Sequence, residues 1–227
     1  MPVFQLPEQI LFPHPSLAEE SGLLAVGGDL SPERLIAAYR SGIFPWYSAG
    51  DPLLWWFTSP RLVLFPNELI VSKRLARTIR QQRFSIRFDH EFTTVITDCG
   101  KSRMEDGEGT WITDEMRQAY IQLHRLGYAH SVECWQGDTL AGGLYGLRLG
   151  KVFFGESMFT RITDASKIAF VTLVNHLQKI GVELIDCQMT TGHLLRFGAR
   201  EIDGKEFLRL LGQLIQSTSP DGTWKNE

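Results

Sequence analysis

The chain has 227 residues, 23 Lys plus Arg, 26 Asp plus Glu and a formal net charge of −3. Hydrophobic residues at 43% and charged residues at 22% exclude a disordered, collagen-like or coiled-coil chain, and the length suffices for a sizeable core in one or two domains. Apolar runs fall short of the ~18 residues of a membrane helix, the proline-broken start Met1-Pro2-Val3-Phe4-Gln5-Leu6-Pro7 has no basic n-region, and the 3 cysteines stand far apart. A reduced, cytoplasmic protein is the expectation.

Residues 1–60 are rich in proline, glycine and aromatics. Ser31-Pro32-Glu33 predicts a helix start, with Ser31 as cap and Pro32 in the first turn, and Gly42 its stop. Ile43-Phe44-Pro45-Trp46-Tyr47 and Leu53-Leu54-Trp55-Trp56-Phe57 concentrate large rings in non-helical stretches, where they must pack together or grip a flat ligand. We read 1–60 as a small aromatic-rich domain and 61–227 as a second, larger one.

Leu62 to Phe65 reads as a strand, residues 72–81 as a helix and Phe84 to Phe88 as a half-buried strand. Lys73, Arg74, Arg77, Arg80, Arg83 and Arg87 have no acidic residue among them. Arg74, Arg77 and Arg80 fall along one helix side, either a solvated face or a stripe that tracks phosphates. Glu91 to Cys99 predicts a helix, Lys101 to Gly109 a loop, and Thr113-Asp114-Glu115 opens a helix ending at Gly127. Ala129–Trp135, Thr139–Gly146 and Lys151–Phe159 predict a three-stranded meander, Ser166–Ile180 a helix and Leu184–Met189 a last strand. The sum is α+β: a mixed sheet flanked by helices.

Strand alternation puts Asp186 and Gln188 on one face and Ile185, Cys187 and Met189 on the other. It therefore argues against a Cys187–His193 nucleophile pair, because Cys187 points away from the polar face. The histidines at 14, 90, 124, 130, 176 and 193 show no paired ligand spacing, so no metal is expected. In Gly155-Glu156-Ser157-Met158, a bulge at Gly155 would bring Phe153 and Glu156 to one side, whereas a plain strand would send Glu156 to solvent. Trp46 and Trp111 are either core residues or stacking faces for a base.

Several blocks then coincide in order. Gly22-Leu23-Leu24-Ala25-Val26-Gly27-Gly28-Asp29-Leu30-Ser31-Pro32, Gly42-Ile43-Phe44-Pro45-Trp46 and Trp55-Trp56 resemble the N-terminal signature of bacterial leucyl/phenylalanyl-tRNA–protein transferases. Glu108-Gly109-Thr110-Trp111-Ile112-Thr113, Gly155-Glu156-Ser157-Met158-Phe159, Ala165-Ser166-Lys167 and Ile185-Asp186-Cys187-Gln188 are similar to its central and C-terminal blocks. The resemblance covers most of the chain.

It implies a monomeric cytoplasmic enzyme, with a GNAT-like acyltransferase C-terminal domain, that moves leucine or phenylalanine from aminoacyl-tRNA onto proteins with N-terminal Arg or Lys. Such tagging belongs to the N-end rule pathway of degradation. It further implies catalytic Asp186 and Gln188, a donor side-chain pocket of Leu144, Phe153, Met158, Phe170 and Leu173, and adenosine stacking by Trp46 and Trp111. Beside what the resemblance implies, we expect Glu156 to neutralise the cationic side chain of the acceptor residue and Arg74, Arg77 and Arg80 to hold the tRNA backbone. Leu144 stands where other members can carry methionine, and Thr190-Thr191-Gly192 where the family can be more polar and asparagine-bearing.

Amide formation from an ester is downhill, so no cofactor is expected. Coenzyme A acetyltransferases of the GNAT type use a glycine loop opening a helix to cradle pyrophosphate. Phe159-Thr160-Arg161-Ile162-Thr163-Asp164-Ala165-Ser166 lacks those glycines. An acetyl-coenzyme A enzyme and a non-catalytic tRNA-binding module are the competing readings.

Overall fold

The computed structural model describes residues 3–105, 110–216 and Trp224. The N-terminal part forms a four-stranded sheet from β1 (Phe4–Gln5), β2 (Leu23–Val26), β3 (Phe44–Pro45) and β4 (Leu54–Trp56), in the order β1-β2-β4-β3. Between β2 and β3 runs α1 (Pro32–Arg40), capped by Ser31 and ended at Ser41 and Gly42, whose φ of 72° suits a residue without Cβ. The larger part contributes β5 (Arg61–Leu64), α2 (Lys73–Arg80), β6 (Ser85–Phe88), α3 (Phe92–Glu105), α4 (Asp114–Arg125) and β7 (Ala129–Gln136). It continues through β8 (Thr139–Leu149), β9 (Val152–Thr160), α5 (Ala165–Lys179), β10 (Leu184–Gln188), α6 (Gly192–Leu195), β11 (Arg200–Ile202) and α7 (Gly204–Leu214).

The α+β class, a mixed sheet flanked by helices, is as the sequence predicts. The seven-stranded sheet has the order β11-β5-β10-β9-β8-β7-β6, and all its neighbours are antiparallel except β9 and β10. The β7-β8-β9 meander forms as expected. One expectation fails: residues 101–105 continue α3, and the rest of the predicted loop, 106–109, lies outside the described residues, as do Glu108 and Gly109 of the central block. The two-residue strands β1 and β3, and the elements after β10, carried no distinct periodicity.

Alternation splits the core in two. Val63, Tyr145, Phe154 and Leu184 pack with α3, α4, α7 and the small sheet, while Leu62, Leu144, Phe153 and Ile185 pack with α5 on the opposite face. Most of the N-terminal rings serve the first core: Trp55, Phe44 and Tyr47 are buried, and Trp55 Nε1 donates to Gly27 O at 2.8 Å. The two sheets therefore share one apolar layer.

At the centre of that layer sits a charge pair. Arg61 and Asp186 are both fully buried, with Arg61 Nε donating to Asp186 Oδ1 at 2.8 Å and Nη2 to Oδ2 at 2.7 Å. Three rings surround the guanidinium: Phe207 of α7 at 4.6 Å, Phe44 of β3 at 4.8 Å and Phe57 at 5.9 Å from ring centroid to Cζ. Removing one partner of such a pair strands the other charge, at about 3–5 kcal/mol. Arg61→Met should thus lower Tm by roughly ten degrees. Arg61→Met/Asp186→Asn, which neutralises the stranded carboxylate, should recover a large part of the loss in thermal melts; equal or greater loss in the double variant would contradict the account.

Candidate active site

β9 and β10 pair only as far as Phe154 and Asp186. Beyond that point both strands bulge. In β9 the register against β8 shifts between Tyr145–Ser157 and Gly146–Gly155, leaving Glu156 as the extra residue. In β10 the register against β5 shifts between Asp186 and Gln188, and Gln188 adopts φ 61°. Asp186 Oδ1 accepts the Gln188 N–H at 2.9 Å and so holds the turn in place. The diverging strands leave a gap in the sheet.

A cavity of about 320 Å³ opens through that gap. It falls in the range of ligand pockets, about 300–1,000 Å³. Leu144, Phe153, Met158, Phe170 and Leu173 line it from the α5 side, and Trp46 and Trp111 from the side of the small sheet. Glu156 and Gln188 stand between, with Cys187 and His193 also on the wall. The structure thus brings together every predicted pocket and stacking residue, although Trp46 remains 37% exposed at the rim. The bulge at Gly155 is present and puts Phe153 and Glu156 on one cavity, as the bulged alternative requires.

The bulge in β10 separates the two polar residues in depth. Asp186 is fully buried on Arg61 among Phe44, Phe57 and Phe207, while Gln188, on the same side, bonds Glu156 beside Tyr39 and Tyr120 and lines the cavity. Cys187 packs with Ile185 on the α5 face, as alternation predicts. The half-buried Cys187 thiol is pushed up, first by desolvation and then by the nearby Asp186 charge, and its Sγ lies 3.9 Å from the Ile185 carbonyl. Burial lowers the His193 pKa, helped by Lys167 and Arg196. A thiol whose pKa is raised in this way is not an activated nucleophile.

Glu156 is the most perturbed acid of the site. Its Oε1 accepts from Tyr39 Oη at 2.7 Å and from Gln188 Nε2 at 3.0 Å, and its Oε2 from Tyr120 Oη at 3.2 Å. The two tyrosine hydroxyls also touch each other. Desolvation raises the Glu156 pKa to about 7 and outweighs the lowering effect of Tyr39 and Tyr120; the Asp186 charge raises it further. Sequence reasoning missed Arg61, Tyr39 and Tyr120. Nothing in a buried helical tyrosine marks it as a carboxylate partner, whereas the signal available for Arg61 is a charge that opens an apolar strand.

The basic stripe is exposed on α2, as expected for Arg74, Arg77 and Arg80. Arg74 Nη2 reaches Asp164 Oδ1 at 3.1 Å, and Lys167 Nζ reaches the same oxygen at 2.7 Å. Asp164 precedes α5 with φ 69°, its side chain making no cap bond, so a nearly buried carboxylate occupies the helix entrance. Among the described residues no group of His, Cys, Asp and Glu is arranged to hold a metal ion, and no helix is long and apolar enough to cross a membrane.

The fold and cleft define the class: an α+β protein with a cavity that opens where two parallel strands part. The model of the leucyl/phenylalanyl-tRNA protein transferase family matches residues 63–212, and that of its N-terminal domain residues 28–59. Over 225 residues the chain is 56% identical to the leucyl/phenylalanyl-tRNA–protein transferase of Desulfotalea psychrophila, covering 99% of each chain. It is 56% identical over 227 residues to that of Syntrophobacter fumaroxidans, covering 100% of this chain and 97% of the relative. Among solved structures, FemX overlays with a TM-score of 0.48 at 8% identity, covering 79% of this chain and 70% of that one, too loosely to bear on function. The chain belongs to the leucyl/phenylalanyl-tRNA protein transferase family and is an aminoacyltransferase.

A buried carboxylate with a raised pKa favours the fold when protonated. Stability from Glu156 is fully present below about pH 4.5 and is lost as pH rises through about 7, a difference of roughly 3 kcal/mol. Relative to Glu156→Gln, the wild-type Tm should therefore fall by several degrees between pH 5 and pH 8 in calorimetry. A constant Tm difference across that window would contradict the burial of this charge.

Proposed function

We propose that the chain transfers leucine or phenylalanine from aminoacyl-tRNA to the α-amino group of proteins beginning with Arg or Lys, as a cytoplasmic monomer in N-end rule tagging. Residues 1–60 and 61–227 act as its two units, the second as a GNAT-like acyltransferase domain. The observation that carries this reading is the shared cavity: apolar side chains on one side of the strand gap, indoles on the other, and Glu156 with Gln188 between them. The donor side chain enters among Leu144, Phe153, Met158, Phe170 and Leu173, and the terminal adenosine stacks on Trp46 and Trp111. Stacking contributes roughly 1–3 kcal/mol per base.

The amine attacks the ester carbonyl, a C–N bond forms, the ester C–O bond breaks, and the ribose oxygen leaves with a proton. An α-amino group with a pKa of about 7.7–8.0 is already neutral in roughly a tenth of molecules at pH 7, so full deprotonation costs only about 1 kcal/mol. Positioning matters more. With its Nε2 committed to Glu156, Gln188 keeps Oε1 to accept an amine N–H. Asp186, buried on Arg61, acts as a positioning residue by fixing the Gln188 backbone. The ribose hydroxyl beside the ester shuttles the proton. Glu156 neutralises the cationic side chain of the acceptor residue.

The exposed guanidiniums of Arg74, Arg77 and Arg80 hold the tRNA backbone without reading sequence. An acetyl-coenzyme A donor fits less well, because Asp164 places a carboxylate at the α5 entrance where a pyrophosphate would approach.

Incubation with labelled leucyl-tRNA and an Arg-initiated peptide should yield acylated peptide, with activity falling at least a hundredfold in Gln188→Ala; labelled product from acetyl-coenzyme A instead would overturn the reading. Donor binding should weaken steeply with salt, and Arg77→Ala or Arg80→Ala should each reduce the slope of log affinity against log salt by about one. A flat salt response would remove the stripe from the donor site.

A further inference from the structure

Trp224 lies far along the chain from the cavity residues, yet its ring is only 7% exposed and packs in the same core layer as Leu144, Phe153, Phe170 and Leu173. It stacks on His130 at 3.9 Å and 5°, and meets Phe153 at 6.0 Å and 33° between ring centroids and planes. Its backbone N–H donates to Asp89 Oδ2 at 2.6 Å. Asp89 is itself fixed: Oδ1 accepts the Ser131 N–H at 2.8 Å, and Oδ2 lies 2.8 Å from His130 Nδ1. One carboxylate thus clamps both the indole's backbone and the imidazole on which the indole lies.

Phe153 is the contact between this assembly and the cavity. Across the sheet its ring lies against Gly146, where a Cβ would sit 2.5 Å from the Phe153 Cε1 and Cζ atoms. A ring held against backbone at one contact and against a clamped indole at another has little freedom to yield, because interiors are close-packed. We propose that Trp224 is a positioning residue for donor choice: it fixes the Phe153 ring and thereby the depth of the pocket that receives the donor's side chain. This rests on the reading that the cavity takes that side chain, and extends it to a residue outside the cavity. The Asp89–His130 pair belongs to the same device, since it orients the indole.

Loss of the indole lets Phe153 retreat and deepens the pocket, which favours phenylalanine over the smaller leucine. Apolar pockets discriminate by modest factors per methylene, so the expected change is correspondingly modest.

The test measures kcat/KM for phenylalanyl-tRNA and leucyl-tRNA with one Arg-initiated peptide. Trp224→Ala should raise the phenylalanine-to-leucine ratio by about three- to tenfold, and Trp224→Phe should return it to within about twofold of wild type. Should Trp224→Ala not fold, Trp224→Leu gives the same readout, with a smaller rise in the same direction. A loss of packing alone would lower Tm without moving the ratio. An unchanged ratio in the Trp224 variants alongside a shifted one in Phe153→Ala overturns the role of Trp224 and leaves the pocket intact. An unchanged ratio in both overturns the pocket and this inference together.

Discussion

The buried pair of Arg61 and Asp186 is the constraint around which the site is arranged. In isolation such a pair adds little stability, since desolvating two ions offsets most of their attraction. Its consequence here is geometric. Phe44, Phe57 and Phe207 enclose the guanidinium, so the small sheet, the segment leading into β5 and the C-terminal helix all converge on one cation. The carboxylate it holds spends a further lone pair on the Gln188 N–H, and the chain must turn at that residue. An apolar pair of equal volume could fill the space but would leave the turn without its acceptor.

The turn matters because the neighbouring strand bulges at the same level. Two parallel strands that part by design leave backbone and side chains free to meet across the gap, and Glu156 and Gln188 do so at 3.0 Å. The resulting centre is lined by apolar walls, which strengthens each polar contact and keeps the Glu156 carboxyl near neutrality. A carboxyl held in this way changes charge around pH 7 with small changes in its surroundings. Its partners are hydroxyls from two helices, so its state is tied to the packing of α1 against α4.

Much of this was legible in the sequence, and the exceptions have physical causes. The caps at Ser31 and Thr113, the meander and the apolar face of α5 follow from local chemistry, and the structure carries them. The five apolar pocket residues were identified through family resemblance, and they converge on one cavity. Alternation predicts the common side of Asp186 and Gln188 but not their difference in depth, because the anchor that draws Asp186 into the core lies 125 residues away in Arg61. Glycine flagged the bulge at Gly155, whereas no residue type flags the one before Gln188. Contacts between distant helices, such as Tyr39 with Tyr120, have no local signature at all.

The account stands or falls on where a charged tRNA end sits. A crystal structure with a non-reactive amide analogue of 3′-phenylalanyl-adenosine is the direct measurement. It should show the phenyl ring against Phe153 and Met158, the adenine on Trp46 and Trp111, and the acyl carbon facing the Gln188 carboxamide. An analogue seated away from the gap between β9 and β10, with Gln188 and Glu156 untouched, would contradict it.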